Sequence, residues 1–200
     1  MDRKKIIMAS LAAVVIIAAV LICVFVLKPM MDHRGVHIMD KIHLLKEETV
    51  PLRIKIVSHA DGEMVLVGKF YDLDGRAVGR FETPFNNNGP ISLHFVDVDI
   101  DNHHIIFPES MSLSDGASEI DLHQYYSTDG VPHIYDSELM DPLLIDEISR
   151  IFSMLREGRD DQVENLYGKV CNLNTFINHP CERVNYEVQT TSSGKVFFIE

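Results

Sequence analysis

The stretch Val96–His104 places carboxylates and imidazoles close together in this 200-residue chain. It reads VDVDIDNHH, with aspartates at every second position and two histidines at its end. Such side chains are ligands for calcium and zinc, so one interpretation of this stretch is a metal site. A calcium-binding loop beginning at Asp97 would need glycine at its sixth position and glutamate at its twelfth. The chain has Asn102 and Pro108 there, which argues against such a loop.

The same alternation fits the end of a β-strand. If Asp101–Asn102 is a two-residue turn, Asp99 pairs with His104 across a hairpin. A longer loop would pair Ile100 with Ile105 instead. Both registers put the apolar residues on one buried face and the aspartates on the opposite, solvated face. The buried face would hold Val96, Val98, Ile100, Ile105 and Phe107.

This hairpin leaves Asp97, Asp99 and His104 as the candidate metal ligands. Asp97 and Asp99 would stand about 6.6 Å apart along one strand, which is too far for them to chelate an ion alone. The short turn would bring His104 beside Asp99 and complete a weak three-ligand set. The alternation is otherwise explained by the polar face of a strand.

Cys171 and Cys181 are the only cysteines after the apolar amino-terminal run, and they flank NLNTFINHP. In an oxidising compartment, such a pair predicts a disulfide. A zinc site that adds His179 is the alternative, but it lacks a fourth ligand and the close C-x-x-C spacing. His33 and His37 stand four residues apart, yet no acidic third ligand accompanies them, so we interpret them as solvated polar residues.

The amino terminus predicts a membrane anchor. The run Ile6–Leu27 has 22 residues without charge or proline, and a helix of that length spans about 33 Å. It is longer than the apolar part of a cleaved signal peptide and is followed by no A-x-A site. Basic residues at 3–5 precede it, which places the amino terminus in the cytoplasm. A lipoprotein signal ending at Cys23 is the alternative, although Ile22 stands where a small residue is expected.

The predicted organisation is a cytoplasmic tip (1–5), a transmembrane signal-anchor (6–27), a juxtamembrane segment (28–49) and an extracytoplasmic domain (50–200). Residues 28–200 hold 15 basic and 29 acidic side chains, a net charge of −14. An acidic surface repels phosphate backbones and anionic lipid headgroups, which argues against nucleic-acid binding. We expect the acidity to serve solubility or to suit a basic partner.

From Pro51 the hydrophobic pattern has a period of two. LRIKIVSH alternates, which predicts a strand with one wet face, whereas EMVLVGKFYDL is apolar on both faces and predicts a strand covered on both sides. The pair Asp74–Gly75 indicates a hairpin turn. With RAVGRFETPF and ISLHFVDVDI, these segments predict an antiparallel meander of four or five consecutive strands.

A helix is predicted after Asp141, which can cap it, with Pro142 at its first position and Gly158 at its end. A weaker helix is predicted around Gln162–Tyr167, and RVNYEVQTTSSGKVFFIE predicts a terminal hairpin. Strands, a helix and more strands without a repeated βαβ unit predict an α+β fold. The first helix should bury the stripe Leu144, Ile148, Ile151, Phe152 and Leu155.

Sequence motifs of common enzyme classes do not occur: there is no G-x-S-x-G, no H-E-x-x-H, no P-loop and no G-x-G-x-x-G after a strand. No cofactor is predicted. The sequence therefore favours a single-pass, membrane-anchored, non-enzymatic interaction or assembly module with an envelope protein as its partner. The alternative is a metal- or ligand-binding domain, including a hydrolase, with the hairpin Asp97–His104 at its site.

Overall fold

Short antiparallel strands with a few helices make up the described part of the chain, in agreement with the predicted α+β class. The computed structural model describes residues 38, 41–58, 63–85, 89–113 and 119–200. The strands are β1 (Glu48–Ser58), β2 (Met64–Tyr71), β3 (Ala77–Pro84), β4 (Ile91–Ile100), β5 (His103–Leu113), β6 (Glu119–Asp121), β7 (Ser127–Thr128), β8 (Val131–Pro132), β9 (Lys169–Ile177), β10 (Asn185–Thr191) and β11 (Val196–Ile199). The helices are α1 (His123–Tyr126), α2 (Pro142–Arg156) and α3 (Asp160–Leu166), with 3-10 turns at Ile42–Leu44 and His133–Tyr135.

The strands form two main sheets, so the prediction of one continuous meander was wrong. The five-stranded sheet has the order β11-β10-β1-β2-β3, and the four-stranded sheet has the order β6-β5-β4-β9. β4 belongs to the second sheet, where it lies between β5 and β9 and is buried along most of its length. The predicted carboxy-terminal hairpin is present as β10 and β11.

The two faces of the five-stranded sheet differ in burial. In β1, the predicted alternation is confirmed, because Leu52, Ile54 and Ile56 are buried while Lys55 is exposed. The prediction that β2 is covered on both sides was wrong, because its outward positions are half-buried or exposed. Charged side chains of β1 and β3 flank those positions, and because these side chains are solvated, the outer face is exposed to solvent.

The hairpin predicted from VDVDIDNHH has the shorter of the two turns. Asp101 and Asn102 connect β4 and β5 with φ angles of 53° and 63°. Two successive positive φ values are those of a type I′ turn, whose twist matches the flanking strands. Asp99 consequently pairs with His104, as the two-residue turn predicts.

Helix α2 begins and ends as predicted. The Asp141 carboxylate accepts a hydrogen bond from the backbone N–H of Leu143 at 2.9 Å, and Pro142 occupies the first turn. Gly158 follows the helix with a φ of 67°. The buried side chains are Leu144, Ile148, Ile151, Phe152 and Met154, so Met154 is buried more deeply than the predicted Leu155.

A chain of aromatic rings links the two sheets through the helices. Phe70 of β2 lies 5.0 Å from Tyr126 of α1, and Tyr126 lies 5.8 Å from Phe152 of α2. Phe152 in turn lies 5.3 Å from Phe107 of β5. The tilted geometries of these pairs are favourable for ring quadrupoles and add to the apolar burial of the core.

Tyrosine hydroxyls protect the outer edge of β5. β6 pairs with Ser110–Ser112, and within the described ranges no strand pairs with the preceding part of this edge. The Tyr135 hydroxyl accepts a hydrogen bond from Ile106 N–H at 2.8 Å and donates one to the Ile106 carbonyl at 3.0 Å. The Tyr126 hydroxyl donates to the carbonyl of Pro108 at 2.8 Å. These bonds satisfy backbone groups that would otherwise be buried without partners.

No helix within the described ranges is both long enough and apolar enough to cross a bilayer. The predicted anchor Ile6–Leu27 lies outside those ranges, as do Cys23, His33 and His37. The predicted juxtamembrane segment is described only in part, and its last residues already belong to β1.

We predict that Tyr135→Phe destabilises the fold by about 1 to 3 kcal/mol, because both backbone groups of Ile106 lose their buried partner. Urea unfolding of the full chain in neutral detergent, followed by circular dichroism, measures this change. Tyr125→Phe is the matched control, since the ring stacked 5.2 Å from Phe81 is retained. Equal unfolding free energies for the two variants would contradict the role assigned to the Tyr135 hydroxyl.

Candidate functional site

The structure brings the predicted hairpin residues together, but not on a solvated face. Asp97 is only 3% exposed, so the prediction that the aspartates line a polar outer face was wrong for this residue. Burial raises the pKa of Asp97 above its ordinary value, and the hydrogen bond and charge of His104 oppose that rise. Asp99 is less buried and accepts a hydrogen bond from the backbone N–H of Asn102 at 2.9 Å, which helps to close the turn.

His104 holds the two carboxylates on opposite sides of its ring. Its Nδ1 lies 2.8 Å and 3.0 Å from the two carboxylate oxygens of Asp97. Its Nε2 faces Asp99 Oδ1 at 4.0 Å. A single ion cannot use both ring nitrogens of one imidazole, so the arrangement is a hydrogen-bonded pair with a second carboxylate nearby. Within the described parts of the chain, no group of three or more His, Cys, Asp and Glu side chains is arranged to hold a metal ion.

The turn between β10 and β11 covers the face that carries Asp97. The backbone N–H of His104 donates to the carbonyl of Ser192 at 3.1 Å. Gly194 lies against the imidazole, and a Cβ at this position would come within 2.6 Å of the ring. Its φ of 78° also favours glycine. The Asp97–His104 pair therefore contributes to packing between the two sheets.

The predicted disulfide between Cys171 and Cys181 is not formed, and both residues are free thiols. Cys171 lies in β9, directly opposite Asp97 in the four-stranded sheet. Cys181 lies near the other sheet, where its N–H donates to the hydroxyl of Tyr186 at 2.7 Å. The two cysteines are thus held by different sheets, because β9 extends through six residues beyond Cys171 before the chain turns. His179 completes no described metal group with them.

A polar cleft of about 480 Å³ lies between the four-stranded sheet and the end of α2. A β-bulge helps to form it, since Ser110 pairs with His94 and Pro108 with Phe95, which leaves Glu109 without an opposite residue. Bulges re-aim side chains in this way. The side chains that line the cleft include His94, Glu109, Glu119, Asp121, His123 and Arg156.

Burial governs the protonation of this cleft. It raises the pKa of Glu109 and lowers the pKa of His123 to about 4, against the attraction of Asp121. His123 is consequently neutral at pH 7, and its ring packs edge-on at 5.3 Å from Phe152. The Ser110 hydroxyl donates to Glu119 at 2.5 Å and is not bonded to either histidine. The cleft can hydrogen-bond a polar ligand through these side chains.

The outer face of the five-stranded sheet carries a row of cations. Arg53 of β1 is directly opposite Lys69 of β2, and Lys69 is directly opposite Arg80 of β3. We call these three residues the cationic row. Lys55 lies on the same face two residues beyond Arg53, because side chains alternate along a strand. Like charges directly opposite one another destabilise a sheet, so the row is not explained by the stability of the fold.

A groove of about 290 Å³ lies along the cationic row. Its other lining residues include Val57, Val67 and Tyr71. The guanidinium of Arg53 lies 4.6 Å from the centre of the Tyr71 ring, in a cation–π contact. At the far edge of the same face, Phe197 and Ile199 are exposed, and Ile199 shares its cross-strand row with Glu187 and Arg53. The face thus combines positive charge with apolar and aromatic surface.

Neither the polar cleft nor the cationic row was predicted as a site from the sequence. The residues of the cleft come from five separate elements, and the bulge that exposes Glu109 has no signature in the sequence. The cationic row does have a partial signal, since Arg53 and Lys55 occupy the wet positions of an alternating strand. The register that aligns Arg53 with Lys69 and Arg80 follows only from the pairing of the strands.

The chain matches no known family model, no curated protein and no solved structure. Its function must therefore be inferred from its own geometry.

We predict that Asp97→Asn changes the pH dependence of stability. Because the folded-state pKa of Asp97 is raised, the wild-type chain loses stability as the pH rises through that pKa. Asparagine still accepts the hydrogen bond from His104 and carries no charge. The variant should gain stability relative to wild type as the pH rises from 4 to 7, measured by urea unfolding of the full chain. Asp101→Asn, at the exposed turn, should follow the wild-type slope; a relative loss for Asp97→Asn would contradict the prediction.

We predict that His123→Phe flattens the acid limb of the stability profile. The folded-state pKa of His123 is lowered from 6.5 to about 4, so the wild-type chain loses stability as the pH falls through this window. The loss attributable to this group should reach up to about 3 kcal/mol below pH 4. Phenylalanine keeps the ring contacts and cannot titrate. Stability at pH 4, 5, 6 and 7 is compared with wild type and with His103→Gln, and a variant slope identical to wild type would refute the assignment.

Proposed function

We propose that this chain is a single-pass, membrane-anchored, non-enzymatic interaction module of the cell envelope, and that the outer face of its five-stranded sheet is the contact surface for an envelope protein. The anchor is the apolar run Ile6–Leu27, and the flanking charges favour an extracytoplasmic position for the domain. The observation that carries the proposal is the cationic row. It concentrates positive charge on one face of a chain whose net charge is −12.

The cost of the cationic row supports a binding role. Arg53, Lys69 and Arg80 stand one strand apart, so each repels its neighbour at a distance shorter than the Debye length at physiological salt. Solubility does not need these charges, because the chain already has 30 acidic side chains against 18 basic ones. A partner that supplies negative charge would relieve the repulsion.

The residue types on this face are those enriched in protein interfaces. Arginine and tyrosine provide large contact areas with polar ends, and they recur as energetic hot spots. Arg53 and Tyr71 already stack on each other, which restricts both side chains before binding. Phe197 and Ile199 add exposed apolar surface at the edge, with relative exposures of 38% and 42%. The arginine, tyrosine and apolar side chains of this face together favour a protein partner.

The alternative of a metal- or ligand-binding domain at the hairpin has less support. The Nδ1 of His104 is occupied by Asp97, and the pair is covered by the turn that contains Gly194. This pair also has a structural role in sheet packing. The geometry therefore favours the interaction module over the metal site.

We predict that a photo-reactive amino acid in place of Val67, which lines the groove, cross-links the full chain to one defined envelope protein in cells. The same amino acid at Leu139 is the positional control, because Leu139 is 95% exposed in a different region. The triple variant Arg53→Gln, Lys69→Gln, Arg80→Gln should lose most of the cross-linked product. Mass spectrometry identifies the partner, and membrane fractionation with alkaline extraction checks the anchor.

A charge-matched triple variant separates a specific contact from net charge. Arg150→Gln, Arg159→Gln, Lys169→Gln removes the same formal charge from α2, from the start of α3 and from β9, all of which lie outside the five-stranded sheet. It should cross-link as the wild type does. A product of equal yield from Leu139, or one unaffected by loss of the cationic row, would refute the proposed contact surface. Release of the full chain from membranes by alkaline extraction would refute the anchor.

A further inference from the structure

The groove beside the cationic row is deficient in negative charge. Four cations, namely Arg53, Lys55, Lys69 and Arg80, line it. Among the described residues, two carboxylates pair with them: Glu187 with Arg53 and Glu82 with Arg80. The side chains of Lys55 and Lys69 have no hydrogen bond or ion pair with any other described residue. The groove therefore keeps two unpaired ammonium groups.

The pairing of Arg53 is also incomplete. Its Nε lies 3.0 Å from Glu187 Oε1, yet the two atoms are not aligned for a hydrogen bond, and Nε is shielded from solvent. The Arg53 side chain is nevertheless 40% exposed, so other parts of it are open to a ligand. A guanidinium has five N–H donors in a planar fork, which suits carboxylates that approach from outside.

The shape of the groove restricts the kind of anionic partner. Val57, Val67 and Tyr71 give it apolar surface between the cations. A flat bilayer surface cannot enter a concavity of about 290 Å³, and inorganic polyphosphate has no apolar group to place there. A polypeptide can place one apolar side chain in the groove and carboxylates on either side of it. Adjacent strands lie about 4.8 Å apart, so the cations are spaced closely enough to meet neighbouring acidic residues of one segment.

We propose that the partner binds this groove through an acidic segment that carries an apolar side chain between its carboxylates. The inference rests on the proposed function and specifies the chemistry of the partner at the same face. The cationic row attracts the segment and pairs with its carboxylates, while the apolar side chain contacts Val67 and Tyr71. This assigns a basic docking site to an otherwise acidic chain.

Fluorescence anisotropy tests the proposal with a labelled peptide that has two glutamates on each side of a phenylalanine. The receptor is the full chain in nanodiscs of zwitterionic lipid. We expect saturable binding that weakens as salt is raised, because exposed ion pairs are screened. The variant Arg53→Gln, Lys69→Gln, Arg80→Gln should bind at least about tenfold more weakly, whereas Arg150→Gln, Arg159→Gln, Lys169→Gln should bind as wild type does.

Two altered peptides test the two features separately. Replacement of the glutamates by glutamines should abolish binding, and replacement of the phenylalanine by alanine should weaken it severalfold. In a double-mutant cycle, Val67→Ser should weaken binding of the phenylalanine peptide more than that of the alanine peptide. Circular dichroism of each protein variant confirms that the fold is retained.

The proposal is overturned if the acidic peptide does not bind, if the glutamine peptide binds equally well, or if loss of the cationic row leaves the affinity unchanged. These outcomes are independent of the cross-linking experiment, which reports a partner at Val67 whatever its charge. Cross-linking from Val67 without peptide binding would retain the interaction module and reject the acidic segment. Peptide binding without a cross-linked envelope protein would retain the docking chemistry and reject the proposed role in the cell.

Discussion

The buried hydrogen bond between Asp97 and His104 constrains how the two sheets meet. A carboxylate on a central strand is costly to bury unless donors satisfy it, and His104 is the donor that the hairpin brings within 2.8 Å. The two-residue turn makes this hydrogen bond possible, because only its register places His104 opposite Asp99 and diagonal to Asp97. The ring then leaves no room for a side chain at position 194. One polar pair thus sets the contact between the β4–β5 hairpin and the β10–β11 turn.

The rest of the core is organised around that contact by apolar packing. Rings of Phe70, Tyr126, Phe152 and Phe107 connect the inner face of the five-stranded sheet to the helices and the second sheet. With the inner face buried, strand alternation leaves Arg53, Lys69 and Arg80 no orientation except outward. The face proposed for binding is therefore a consequence of the same alternation that builds the core. The proposed contact surface depends on the fold through strand register.

Elements marked by local sequence signals agree with their predictions. Helix α2 was predictable from its cap, its proline and its apolar stripe, because these signals are local. The sequence allowed two registers for the β4–β5 hairpin. The structure has the one with the shorter turn, in which Asp101 and Asn102 adopt positive φ values that these residue types tolerate. The errors concern long-range contacts. The burial of Asp97, the open face of β2 and the separation of Cys171 from Cys181 all depend on which distant element lies next to them.

The sequence by itself determined strands β1 to β5, the main helix and the terminal hairpin, because hydrophobic periodicity and turn residues mark each of them. It also predicts the anchor, from an uninterrupted apolar run. Of the two registers that it allowed for the hairpin, one placed Asp97, Asp99 and His104 within reach of one another. Only the tertiary structure decided that Asp97 is buried and that the charges of three strands form one row. The physical reason is that the solvent exposure of a residue and its cross-strand neighbours depend on segments that are far away in the chain. Alternation within a strand depends on the sequence of that strand alone.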